Sequence, residues 1–118
     1  MPRVLRLKYA VATDYFDVTG SSLHADKVKN ELREEVRILA EGDEFLAFLP
    51  FASHVPFETW ILPRRPQASF GRLESGQFAP LAEMLKTVLL RLHRGLGNPD
   101  FNLTIDTSGR GDEEKPYF

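Results

Sequence analysis

The sequence contains no cysteine. That absence removes disulfides, thiolate metal sites and cysteine nucleophiles together. Neither sign of charge is in surplus: 15 Lys and Arg stand against 17 Asp and Glu, for a formal net charge of −2. A chain so balanced lacks the basic footprint of a nucleic-acid binder. No apolar run approaches the roughly 18 residues that a membrane span needs. The start, MPRVLRLKYA, carries basic residues but no continuous apolar stretch and no small-residue cleavage site. It predicts neither a signal peptide nor an anchor, which makes cytoplasmic the expected location. There are three histidines, His24, His54 and His93, with no His-x-His and no His-Glu-x-x-His among them. A zinc site of conventional spacing is therefore not expected.

What is present suits one α+β domain. The chain has 118 residues, 42% of them apolar, enough to bury a single core. Its centre is Glu44 to Arg65, EFLAFLPFASHVPFETWILPRR. Two strand-length apolar runs, Phe45 to Leu49 and Phe57 to Leu62, each stop at a proline. The second run holds the sole tryptophan, Trp60, which is expected to be largely buried. Upstream, Val36, Ile38 and Ala40 alternate with Arg37, Leu39 and Glu41, and Gly42-Asp43 offers a hairpin turn in which Gly42 can take positive φ.

Residues 3 to 20 alternate like a strand (Leu5, Leu7, Tyr9, Val11) but also carry a helical stripe (Val4, Leu7, Val11, Tyr15, Val18). The stripe covers more residues and ends at Gly20, a suitable C-terminal cap, so a helix is expected. Ser21 or Ser22 caps a second helix over about Leu23 to Arg33. A long helix is expected from near Phe78 to about Gly95, with Phe78, Leu81, Leu85, Val88 and Leu92 inward and Pro80 in its first turn. Phe101 to Asp106 alternates and predicts a further strand, antiparallel beside Phe57 to Leu62. The polar tail from Ser108 gives way to Pro116-Tyr117-Phe118, like the start of another strand.

Few residues carry obvious chemistry. His24 and His93 suit solvent-exposed positions, while His54 lies in the crossing between the central runs. Glu58, between Phe57 and Trp60, must reach water, pair with an arginine such as Arg64 or Arg65, or hydrogen-bond, because an unpaired buried carboxylate is costly. Arg64 and Arg65 form a two-cation cluster of the kind that holds phosphate.

Phe48, Pro50, Phe51, Ala52, Pro56, Phe57, Glu58, Thr59, Leu62, Pro63 and Arg64 together resemble the second half of the galactose-1-phosphate uridylyltransferase family, in the histidine-triad-like superfamily. Tyr15-Phe16 with Thr19-Gly20, and Asn98-Pro99-Asp100-Phe101-Asn102, extend the resemblance over roughly residues 15 to 107. It implies a histidine-triad-like antiparallel sheet with a long amphipathic helix packed on it. It implies a single domain over 1–118, with a helical segment over 1–22 and a polar tail over 108–118 leading to a strand the chain lacks. In the family, a uridylyl group passes between UDP-glucose and a hexose 1-phosphate through a histidine nucleophile in a His-Pro-His motif of the first half. This chain has no such motif. The resemblance therefore implies a C-terminal domain of a nucleotidyltransferase in galactose metabolism, inactive by itself and without a catalytic residue of its own.

Several family positions differ. Ser21-Ser22-Leu23-His24 stands where many relatives have Cys-x-x-Cys, and Pro66 where many have histidine. Asp106 stands near the place where the family has a histidine that can bind metal. The resemblance thus implies no metal in this chain and leaves zinc or iron to a full-length parent. His54, Glu58, Arg64 and Arg65 are the substrate-binding candidates. The implied partners are a nucleotide sugar and a sugar phosphate in the parent, its N-terminal half, and a second copy in a homodimer, with no nucleic acid and no membrane. The other reading is a non-catalytic histidine-triad-like module for binding or dimerisation.

Overall fold

A computed structural model describes residues 3–108 and 110–111. Helix α1 spans Arg3–Thr19 and α2 spans Leu23–Glu34. Three short strands follow, β1 (Ile38–Glu41), β2 (Phe45–Phe48) and β3 (Trp60–Pro63), and then the long helix α3 (Ser75–Leu96). The strands form one antiparallel sheet in the order β1-β2-β3.

Sequence dictates this arrangement through β2, whose residues are buried on both faces. Successive strand side chains point to opposite sides. Phe45 and Ala47 meet Met84 and Val88 of α3, with Leu81 and Leu92 alongside. Leu46 and Phe48 meet Val28 of α2, with Leu32, Trp60 and Leu62 alongside. The sheet is therefore a middle layer, with α3 on one face and α2 on the other. Between Ile38 and Ala40 the β1–β2 register shifts, and Leu39 joins Ala40 on the α3 side.

The helices end as their capping residues require. The Ser22 hydroxyl accepts the Ala25 N–H at 3.4 Å at the start of α2, and Gly20 closes α1 at φ +71°. α3 begins a turn earlier than its apolar stripe predicts, because Glu74 and Gln77 form a reciprocal capping box. Pro80 consequently lies inside the helix rather than in its first turn. The inward row is Gln77, Leu81, Met84, Val88 and Leu92, and Phe78 is exposed.

Other expectations are corrected. β3 starts at Trp60, not Phe57, because Phe57 sits at φ +60° in a turn that strand geometry cannot continue. Gly42 does not take positive φ; a Cβ there would come within 3.3 Å of the Met84 methyl, a close approach of the hairpin turn to α3. Phe101 to Asp106 is not a strand. Its apolar residues are exposed, and the segment's end is tied to a loop: the Phe70 N–H donates to Thr107 Oγ1 at 2.9 Å and the Ser108 N–H to the Ala68 carbonyl at 2.8 Å. Alternation of apolar residues specifies a pleat, not a neighbour to pair with. Residues 112–118, which hold the expected start of a further strand, lie outside the described residues.

Candidate functional site

Between β2 and β3 the chain makes a tight crossing whose shape is set by Glu58. Its Oε2 accepts the His54 backbone N–H at 2.7 Å, and its Oε1 accepts the Trp60 indole N–H at 3.2 Å. The His54 N–H, then the indole, hold the Glu58 carboxyl below the usual carboxylate range. The Glu58 N–H donates to the Val55 carbonyl at 3.3 Å, and Ser53 Oγ to the Pro50 carbonyl at 2.8 Å. The expected pairing of Glu58 with Arg64 or Arg65 does not occur, because both arginines lie beyond the opposite end of β3. Six residues of nearly extended chain, about 20 Å, separate Glu58 from Arg64.

Arg64 Nη2 meets Glu41 Oε1 at 2.9 Å, and Arg65 Nη2 meets Glu44 Oε2 at 3.0 Å. Each arginine thus braces the β1–β2 hairpin. The candidates therefore fall into two separate groups: His54 and Glu58 at the start of β3, Arg64 and Arg65 past its end.

Around Trp60 the structure assembles groups that the sequence reading left apart. Trp60 is half-buried rather than largely buried, since one side of its ring meets polar groups instead of a further apolar layer. The Phe48 ring lies 6.2 Å away, centroid to centroid, on the core side. The His24 ring lies at 6.5 Å, tilted by 51°. Lys27 Nζ sits 4.2 Å from the Trp60 centroid, a cation–π contact. His24 and Lys27 share one face of α2 because they are three residues apart.

His24 is therefore not the exposed residue that its place at a helix start suggests. Burial, then the Lys27 charge, push its pKa down, and the Asp106 charge partly offsets them. Burial lowers the Lys27 pKa as well, with Glu58 pulling the other way. Lys8 of α1 pairs with Asp106. His93 is exposed, with Nδ1 3.1 Å from Asn98 Oδ1 near the end of α3.

The surroundings of Asp106 do not fit a metal ion. Its carboxylate already engages the Lys8 ammonium, and its charge acts on the His24 imidazole. Among the described residues no three His, Asp or Glu side chains come together to hold a metal. A second polar joint ties the two leading helices. Tyr15 Oη donates to Asp26 Oδ2 at 2.6 Å and Ser21 Oγ to Asp26 Oδ1 at 2.8 Å. These bonds, the Tyr15 one first, hold the Asp26 carboxyl below its ordinary range.

What the arrangement can do chemically is bounded. It offers a fixed carboxylate, a weakly basic imidazole and a partly desolvated ammonium around one indole face. Of these only Lys27 and His24 were recoverable as a pair from sequence, by their spacing on one helix. Lys8 gave no local signal of its place.

Residues 8–100 match the family described as galactose-1-phosphate uridyl transferase, C-terminal domain. The chain is 33% identical over 101 residues to a galactose-1-phosphate uridylyltransferase of Schizosaccharomyces pombe, covering 86% of this chain and 27% of that protein. It is 30% identical over 95 residues to an ADP-glucose phosphorylase of Arabidopsis thaliana, covering 80% and 26%. Among solved structures, one titled as a uridylyltransferase superposes with a TM-score of 0.77 at 30% identity, covering 84% of this chain and 31% of that one. The Arabidopsis thaliana ADP-glucose phosphorylase with bound ADP-glucose superposes at 0.73 and 26% identity, covering 84% and 30%. The chain thus spans about a quarter to a third of the length of the relatives it matches.

Proposed function

The chain belongs to the galactose-1-phosphate uridyl transferase family, through its C-terminal domain, and from that premise we propose that it serves a nucleotidyltransferase acting on a nucleotide sugar and a hexose phosphate. The observation that carries the reading is the match over residues 8–100, which includes the whole crossing from Pro50 to Arg64. The relatives' names span uridylyl transfer involving galactose 1-phosphate and phosphorolysis of ADP-glucose. The common substrate class is a nucleoside diphosphate sugar.

Within such an enzyme this domain is scaffold and wall rather than nucleophile. His24 is packed against Trp60, His54 lies in the crossing and His93 stands at the far end of α3, so no two form a nucleophile and base. The nucleophile then comes from an N-terminal half, and any zinc or iron is held outside the described residues. The Glu58 bonds to His54 and Trp60 fix the crossing, which presents Phe51 and Phe57 outward. Of the substrate-binding candidates, Arg65 is the cation a phosphate would reach first, with 69% of its side chain exposed against 29% for Arg64. A cytoplasmic location accords with such substrates; among the described residues no helix is long and apolar enough to cross a membrane.

Incubation of the purified chain with UDP-glucose and galactose 1-phosphate, and with ADP-glucose and phosphate, tests this. No turnover is expected from the chain alone, and turnover is expected once the N-terminal portion of the yeast relative is added. Turnover by the chain alone that His54→Ala abolishes would overturn the reading.

A further inference from the structure

Charges from four parts of the fold converge on Lys8. Its ammonium pairs with Asp106, on the segment that returns across α1. Its charge also acts on His24 and Lys27 of α2 and on Glu58 at the crossing. Two carboxylates and an imidazole are donor types that suit a divalent cation. Here the positive charge among them is a lysine of the chain itself.

The donors are already committed. Glu58 accepts the His54 N–H and the Trp60 indole N–H, one on each oxygen. Asp106 engages Lys8. A divalent ion beside Asp106 would face the Lys8 and Lys27 ammonium groups with no uncommitted carboxylate among these residues to balance it. The residue type at position 106 fits the same logic. An imidazole can ligate a metal ion but cannot neutralise an ammonium, whereas a carboxylate does. Asp106, near the place of the family's histidine, and Lys8 beside it are thus two parts of one exchange. The same segment is held further along, where the Phe70 N–H donates to Thr107 Oγ1 at 2.9 Å and the Ser108 N–H to the Ala68 carbonyl at 2.8 Å.

We propose that the Lys8–Asp106 pair is an internal substitute for a metal cross-link, in which the Lys8 ammonium supplies the positive charge and fixes the returning segment 101–108 to α1 with no ion bound. The chain departs here from the metal-binding pattern that the family resemblance implies. The two kinds of joint respond in opposite ways. Both members of this pair are 46% exposed, so dissolved salt screens it. A chelator has nothing to remove from it. A joint made through a metal ion is lost to a chelator, because its binding energy is folding energy. The inference rests on membership of the family and not on nucleotidyl transfer. Its test needs no substrate, so the two readings can fail separately.

Amide hydrogen exchange of Ser108 and Phe70, followed by nuclear magnetic resonance in the whole 118-residue chain, is the test. Protection of both amides should be unchanged by EDTA. It should fall roughly fivefold in about 1 M sodium chloride, the loss expected for an exposed ion pair. Lys8→Met keeps the apolar stem and removes the charge. It should show the same loss at low salt and no further loss at high salt, with an unchanged circular dichroism spectrum. Lys8→Asp combined with Asp106→Lys should restore protection. Lys8→Glu sets a second carboxylate beside Asp106 and His24. Added zinc should raise the thermal midpoint of that variant and leave the wild-type midpoint where it is. EDTA that lowers wild-type protection or midpoint would overturn the proposal. So would protection indifferent to both salt and Lys8→Met, or a Lys8→Glu chain that ignores zinc.

Discussion

Trp60 couples the core to the crossing before it, and its removal can be resolved into two parts. Trp60→Phe keeps an aromatic ring against Phe48, His24 and Lys27 but deletes the N–H that Glu58 accepts at 3.2 Å. A hydrogen bond to a charged group contributes about 1.5–3 kcal/mol. Partial exposure of the pair places this one below that range, at about 1 kcal/mol. Trp60→Ala also removes the ring. A half-covered indole keeps roughly 120 Å² of apolar surface from water, which at about 25 cal/mol per Å² is about 3 kcal/mol. The alanine variant should therefore lose about 3–4 kcal/mol and the phenylalanine variant about 1. Urea unfolding followed by far-ultraviolet circular dichroism measures both, since the sole tryptophan is lost as a fluorescence probe in each. Equal losses would mean the ring contributes nothing beyond its N–H. Losses below about 0.5 kcal/mol in both would refute the coupling altogether.

Two further outcomes follow from single residues. Burial against Trp60 and the Lys27 charge depress the His24 pKa. The unfolded chain, with an imidazole near pH 6.5, takes up a proton that the folded chain resists. Stability should thus be full above about pH 6.5 and decline as the pH falls below it; His24→Gln should flatten the difference in urea midpoint between pH 7.5 and 5.5. Asp26 and Glu58, whose folded pKa values are depressed, contribute above about pH 4 and lose that contribution only on further acidification, outside this window. A wild-type chain more stable at pH 5.5, or an unchanged slope in the variant, would contradict the burial argument. At Phe57, with φ +60°, glycine should be more stable than alanine by about 1 kcal/mol, reversing the usual order; thermal unfolding of the two variants decides it.

The layered fold was legible wherever one residue pattern admitted one partner. FLAF, apolar at every position, has to be covered on both faces, and the flanking amphipathic helices are the covers. Ser22 and Gly20 announced the break between α1 and α2 by chemistry that few other residues supply. The crossing was legible in outline, since Pro50 and Pro56 exclude a ladder. Its geometry was not, because nothing in the order Phe57-Glu58-Thr59 announces a left-handed phenylalanine. The pairing of Arg64 and Arg65 with Glu41 and Glu44 depends on hairpin register, which a one-residue slip would have undone. Lys8 and Asp106 are 98 residues apart and meet because the end of the chain returns across α1.

The misread stretches share a cause. Phe101, Leu103 and Ile105 alternate as a strand should, and Phe78 lies on the expected stripe of α3, yet all four are exposed. Val4, Leu7, Val11 and Val18 of α1 and Phe51, Val55 and Phe57 are exposed too. The apolar pattern therefore exceeds what one three-stranded sheet and three helices can bury. Periodicity records every surface that needs a cover, including surfaces covered by another body, and cannot say which cover is internal. Most of the large apolar residues that the fold leaves uncovered fall on α1, on the 51–57 crossing and after α3, with others at Val36, Phe70 and on α3 itself. That distribution separates a helix face on α1 from the crossing before β3. The two surfaces belong to different elements, so the cover of one places no constraint on the cover of the other.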